Sequence, residues 1–331
     1  MKKYIAILLV AAMATLGISA CRKENSNKET KVQKDSDIKV VTTIFPEYDW
    51  VRQIAGEEAD QMDITMLLDN GVELHSYQPT AEDIMKVSDC DLFVYVGGES
   101  DAWVDDVLKQ AKNKDMQVVN LLDVLGNSVK EEEVIEGMEP EEEEEEGGEE
   151  EEPEYDEHVW LSVKNAEVLS KAIADALEKA DPDHKDVYQE NASAYSEKLK
   201  NLDAKYQEVV DGASQKTLLF GDRFPFRYLV DDYGLSYYAA FVGCSAESEA
   251  SFETISFLAN KVDELGLKDI MALENSNQKI AKTIIENTKE KNQKILTLDS
   301  MQSTISDDVK NGTTYLSVME KNLEVLKEAL Q

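Results

Sequence analysis

Apolar, β-branched runs alternate with stretches of helical periodicity along most of the chain. Ile38 to Ile44, Met62 to Leu68, Leu92 to Val96 and Val118 to Leu121 read as strands, with helices between them over Trp50 to Ala55, Thr80 to Val87 and Trp103 to Lys112. Asp69, Asn70 and Gly71 supply a turn. The pattern then recurs: Leu218 to Phe220, Tyr237 to Phe241, Ile270 to Leu273 and Ile295 to Leu298 read as strands, separated by helical segments near Pro225 to Asp232, Phe252 to Leu265 and Gln278 to Glu290. Between the halves lie a helical stretch from Ala166 to Ala180, a break at Asp181-Pro182 and an unbroken helical run from His184 to Val210. Tyr188, Ala192, Tyr195, Leu199, Leu202 and Tyr206 recur there at three and four, which gives one apolar stripe. The expected fold is α/β: two βα lobes with central sheets (38–180 and 213–331), joined by a single long rigid helix (181–212).

The amino terminus departs from this pattern. Lys2 and Lys3 precede an apolar run from Tyr4 to Gly17 that is too short to span a bilayer, followed by Ile18-Ser19-Ala20-Cys21. Small residues directly before a cysteine resemble the site cleaved by lipoprotein signal peptidase, so 1–20 is expected to be a signal peptide and Cys21 the lipidated first residue. An uncleaved membrane anchor is the competing reading, and both place the rest of the chain on the extracytoplasmic face of the cell membrane. Residues 21–37 are polar and charged, cannot bury a core, and read as a flexible tether.

Charge narrows the choice of partners. The 331 residues carry 69 Asp and Glu against 34 Lys and Arg, a formal net charge of -35, which repels nucleic acid and anionic lipid and favours cations. Part of this charge is concentrated in a nearly continuous glutamate run over 139–157, which reads either as a solvated insertion or as a weak collector of divalent ions that empties onto His158. With Cys21 assigned to lipid, Cys90 and Cys244 cannot form a disulfide framework. Cys90 lies in a buried-strand pattern and reads as a packed core thiol. No nucleophile triad, phosphate-cradling glycine loop or His-Glu-x-x-His helix occurs in the sequence, so it offers no catalytic apparatus.

Two segments resemble the first two metal-ligand motifs of the zinc and manganese solute-binding lipoproteins of ABC transporters. They are Gly71-Val72-Glu73-Leu74-His75-Ser76-Tyr77-Gln78-Pro79 and Asp156-Glu157-His158-Val159-Trp160-Leu161-Ser162. The similarity continues through Asp181-Pro182, Tyr188-Gln189-Glu190-Asn191-Ala192, Leu298-Asp299-Ser300-Met301 and Thr314 to Asn322, and so covers nearly all of the chain beyond the tether. The resemblance implies a metal site in the cleft between the lobes, with no catalysis: a monomer that captures Zn2+, or Mn2+, and delivers it to an ABC permease. His75 and His158 would supply imidazole nitrogens, with carboxylates completing the shell. His184 falls where the family carries no ligand and reads as a surface residue.

The remaining ligands are open at this level. Family members place a histidine or glutamate five residues before the tyrosine matching Tyr228, and here that position is Arg223, which cannot ligate a metal. Asp222 is the expected substitute, with Glu247, Glu249 or Cys244 as alternatives. Asp299 matches the family's last carboxylate, with Glu274 as its alternative. Two imidazoles and carboxylates suit zinc or manganese, and the order of intrinsic affinity favours zinc. The rival classes are a metallohydrolase, which needs a water-bearing open position and a general base, and an adhesin-like surface protein, as some family members have been called.

Overall fold

The computed structural model describes residues 38–138, 154–245 and 249–331. The signal peptide, the tether, Cys21, Glu247 and the body of the glutamate run lie outside them. Eight strands form two sheets: β1 (Lys39–Thr42), β2 (Asp63–Met66), β3 (Leu92–Tyr95) and β4 (Gln117–Asn120) in one; β5 (Thr217–Phe224), β6 (Ser236–Val242), β7 (Asp269–Leu273) and β8 (Lys294–Leu298) in the other. Their orders are β2-β1-β3-β4 and β6-β5-β7-β8, every pairing is parallel, and helices cross between neighbours. The two halves thus share one topology, the doubled βα pattern of the sequence.

The elements differ from the sequence reading at their edges, for local chemical reasons. The first strand ends at Thr42 and a helix begins at Phe45, well before Trp50, because the Glu47 carboxylate accepts hydrogen bonds from the Thr43 and Ile44 amides and Pro46 sits in the first turn. A Thr80–Asp83 capping box starts the next helix at Ala81. β5 runs on to Phe224, but its register against β6 shifts between Phe220 and Arg223. Gly221 lies at that irregularity, under Ala281 of the helix Lys279–Asn287, where a Cβ would collide with backbone.

The joining helix spans Lys185–Asp211, 27 residues, and buries Tyr188, Tyr195, Leu199, Leu202 and Tyr206 along one stripe. It packs against the helices Phe45–Ala55 and Val163–Ala180 of the first lobe and the last helix, Tyr315–Ala329. That last helix, which the periodicity did not single out, ties the lobes together. Tyr315 stacks edge-on against Trp50, its amide donates to Asp49, and its hydroxyl donates to the Trp160 carbonyl at 2.8 Å. One continuous apolar cluster contains Trp50, Trp160, Tyr206, Phe220 and Tyr315, so residues of both lobes share a core.

β3 feeds the loop that supports the first-lobe side of the cleft. Gly97 and Gly98 have φ of 92° and 78°, in the left-handed region that glycine enters without penalty. A Cβ at Gly98 would overlap the Glu157 carboxylate. The loop is closed by Asp101, which accepts from the Gly97 amide at 3.0 Å and is almost fully buried. Burial, reinforced by the Glu157 charge, pushes the Asp101 carboxyl up to about 7.

Two stability outcomes follow from these contacts. Tyr315→Phe leaves the buried Trp160 carbonyl short of a donor and is expected to lower unfolding free energy by about 1–3 kcal/mol in urea titrations. Asp101 holds its proton in the folded state where the unfolded chain has released it, so its contribution to stability declines as pH rises from 3.8 to about 7. Unfolding midpoints of Asp101→Asn should therefore gain on those of the unsubstituted protein across that window, and the gap should be constant above it.

Candidate metal centre

The cleft between the C-terminal ends of the two sheets brings both sequence-predicted histidines together. His75 sits in a single 3-10 turn, Leu74–Ser76, and is partly exposed. His158 precedes a second such turn, Val159–Leu161, and is 0% exposed. Trp160 in that turn donates its indole N–H to the Ser300 carbonyl of the second lobe at 2.9 Å, which anchors the turn across the cleft. The imidazole Nε2 atoms of His75 and His158 face each other at 3.1 Å.

The opposite ring nitrogens are already occupied. His158 Nδ1 lies 3.0 Å from Asp156 Oδ1, and a carboxylate oxygen can only accept, so Nδ1 carries the proton. The same oxygen accepts from the His158 amide at 2.8 Å. Asp156 is held in turn by Tyr228, whose hydroxyl donates to the Asp156 carbonyl and accepts from the Lys130 amide. His75 Nδ1 lies 3.0 Å from Ser100 Oγ and 3.4 Å from Glu157 Oε2. His158 therefore presents a lone pair on Nε2, and the nitrogen that faces it is Nε2 of His75. Burial holds His158 below the ordinary imidazole value, and His75 adds to this; together they outweigh the upward pull of Asp156, so the ring is neutral at neutral pH.

Glu157 packs against Gly98, accepts from the Ser100 amide at 2.9 Å, and turns its buried Oε2 toward His75 Nδ1 at 3.4 Å. Burial acts to raise its carboxyl, but hydrogen bonds from His75 and Ser100 outweigh it and hold the group low and ionised. Two adjacent acids therefore serve the histidines, one on each ring, and neither role is visible in a residue count.

The third member of the cluster is Cys244. Among the described residues, the only group of three or more His, Cys, Asp or Glu side chains with ligand atoms within 4.8 Å of one another is His75, His158 and Cys244. Gly243 makes this possible, since a Cβ there would press to 3.0 Å from the His158 ring and the Phe224 carbonyl. The Cys244 amide donates to Glu132 at 3.0 Å. Burial, then the charges of Glu132, Asp156 and Glu157, push the Cys244 thiol far above its ordinary range.

Asp222 and Asp299 stand outside that group. The irregularity in β5 turns Asp222 toward backbone, where it accepts from the Arg223 and Leu273 amides. Asp299 accepts from the Met301 amide, and Glu274 is spent on the amide and hydroxyl of Ser300. Glu249 is exposed and paired with Lys279. His184 is half-buried and pairs with Asp181, and Cys90 is fully buried in the first-lobe core. Arg223 reaches across the cleft, donating to Glu73 Oε1 at 2.7 Å and to the Ser245 carbonyl at 3.3 Å. The described ends of the glutamate run pair as a short antiparallel stem, with Glu131 opposite Tyr155 and hydrogen bonds from Glu132 to Glu154 and from Asp156 to Lys130. The stem docks on the second lobe through Glu133 to Arg227.

Comparison with known proteins agrees with this architecture. The chain is 35% identical over 321 residues to the zinc-binding lipoprotein AdcA of Streptococcus pneumoniae, covering 97% of this chain and 60% of that protein. It is 32% identical over 330 residues to the high-affinity zinc uptake system protein ZnuA of Bacillus subtilis, covering 99% and 98% of the two. The crystal structure of the Zn(II)-bound ZnuA-like domain of Streptococcus pneumoniae AdcA superposes with a TM-score of 0.68 at 31% identity, over 89% of this chain and 99% of that one. The chain thus spans under two thirds of the length of AdcA and nearly all of the Bacillus protein. The family described as zinc-uptake complex component A, periplasmic, matches residues 40–329, and the chain belongs to it.

Proposed function

We propose that this chain is an extracytoplasmic solute-binding lipoprotein that captures a divalent transition-metal ion, zinc in preference to manganese, and passes it to the permease of an ABC importer. The observation that carries the reading is the pair of imidazole Nε2 atoms converging at 3.1 Å in the cleft. Two bonds of roughly 2.0–2.1 Å to one zinc ion at tetrahedral angles set nitrogens about 3.4 Å apart, so the site needs only a small adjustment to grip it. The names of the relatives, zinc-binding lipoprotein and zinc uptake protein, support zinc, as does the affinity order.

The ion is cargo rather than a catalyst. His158 is fully buried and His75 only partly exposed, and the neighbouring acids lie against their rings. In this reading Cys21 anchors the chain to the membrane, residues 21–37 form the tether, the lobes are 38–180 and 213–331 with 181–212 between them, and the carrier works as a monomer. Among the described residues no helix is long and apolar enough to cross a membrane, which is consistent with attachment by lipid. The shared core and the bonds from Tyr315, Trp160 and Tyr228 limit how far the lobes can part, so release rests on distortion of the ligand loops by the permease.

The test is metal analysis of the chain stripped of metal and titrated with zinc and with manganese. His158→Ala is expected to lose more affinity than the roughly 10- to 100-fold expected for Asp156→Asn, which only orients the ring. Asp222 has both carboxylate oxygens on backbone amides and Asp299 lies outside the cluster, so Asp222→Asn and Asp299→Asn should fall short of even the roughly tenfold loss of an indirect contact. A larger loss would put that carboxylate on the ion. The proposal fails if the unsubstituted chain holds zinc no more tightly than a glutamate-rich peptide does.

A further inference from the structure

We propose that Cys244 is a metal ligand, so that the site is a His2Cys thiolate centre with built-in preference for zinc over manganese. The inference rests on the metal-carrier reading above and deepens it. A cysteine alone would not suggest a site, but this one does not stand alone. Its sulfur lies within 4.8 Å of a ring nitrogen of each of two histidines whose Nε2 atoms face each other at 3.1 Å, one of them on a fully buried ring.

Three features of the fold serve to bring that sulfur in. Gly243 lets the end of β6 lie against the His158 ring where any side chain would force it away. Glu132, at the stem of the glutamate run, fixes the Cys244 amide. Arg223 stands where related proteins place a ligand, and it does the work of a clasp. Its guanidinium joins Glu73, two residues before His75, to the Ser245 carbonyl, one residue after Cys244. A ligand has been exchanged for a tie between the two loops that carry His75 and Cys244. The clasp closes over the cluster while Asp222 is turned away toward the β7 backbone.

The chemistry balances simply. The Sγ–H proton leaves to solvent as the sulfur–metal bond forms, and no electron is transferred. Zinc–sulfur bonds of about 2.3 Å with zinc–nitrogen bonds of about 2.0–2.1 Å require the sulfur to move inward by only a fraction of the present spacing. Thiolate is a soft donor that suits zinc and disfavours manganese, which prefers carboxylate and water oxygens. The substitution of thiolate for a carboxylate or a third imidazole therefore sets selectivity.

The test uses the full chain, reduced and stripped of metal, titrated with Co2+ and followed by absorption. The expected result is a near-ultraviolet thiolate-to-cobalt charge-transfer band alongside the visible ligand-field bands. In Cys244→Ser the charge-transfer band should vanish while the ligand-field bands persist, and the zinc-over-manganese affinity ratio should fall by at least about tenfold. Cobalt bound without a charge-transfer band in the unsubstituted chain overturns the thiolate assignment and leaves the histidine site intact, whereas no cobalt or zinc binding at all sinks the metal-carrier reading itself. A second measurement needs no substitution: zinc should slow alkylation of Cys244, read peptide by peptide by mass spectrometry, by about tenfold or more. Unchanged alkylation under saturating zinc would also overturn the proposal.

Discussion

Everything in the cleft depends on burying the His158 ring completely and still leaving one of its nitrogens free. A buried polar group without a partner is costly, and a protonated imidazole there is costlier still. The protein meets the first cost on one side of the ring only. Asp156 takes the Nδ1 proton, Tyr228 and Lys130 hold Asp156, and Trp160 fixes the following turn to Ser300. What remains is a single lone pair aimed at His75. A neighbouring imidazole is a replaceable partner for that acceptor, and a cation is a stronger one.

The same contacts determine how the molecule can respond to the ion. In carriers with two lobes joined by flexible strands, ligand binding can draw the lobes shut through a large angle. Here the lobes share an apolar core, and a 27-residue helix lies along the first. Tyr315, in the last helix, bonds to residues of the first lobe through both amide and hydroxyl. Closure by rotation would break buried hydrogen bonds and open voids in a packed core, at a cost of several kcal/mol in total. The movable parts are the loops: His75 in its one-turn segment, Cys244 after β6, and Arg223 between them. Any adjustment to an ion accordingly falls to short segments rather than to a hinge.

Much of this was legible in the sequence because its physics is periodic or local. Alternating βα patterning set out the two lobes, and the stripe from Tyr188 to Tyr206 set out the joining helix, since burial on one face leaves a repeat of three and four that any reader of the chain can count. His75 and His158 stood out because their flanking residues form motifs. What the sequence could not show is pairing across distance. That Glu157 rather than a remote carboxylate attends His75 depends on two glycines at positive φ, and that Asp222 faces the β7 backbone depends on a register shift within β5. Neither leaves a periodic trace. Cys244 was legible only as one alternative beside Glu247 and Glu249, because nothing in its spacing shows that the fold brings it to the two histidines.

Charge explains why replacing a ligand with arginine is compatible with holding a cation. A guanidinium close to a divalent ion should repel it, yet Arg223 is spent on Glu73 and on a carbonyl, so its charge is neutralised within the clasp. The ion instead feels Asp156 and Glu157, one behind each imidazole, in a cleft where few waters screen them. In the proposed site two neutral imidazoles and one thiolate would leave a divalent ion with net positive charge, and these two carboxylates stand behind the rings where they would offset it. Such a shell would bind through its donors and balance charge from behind them.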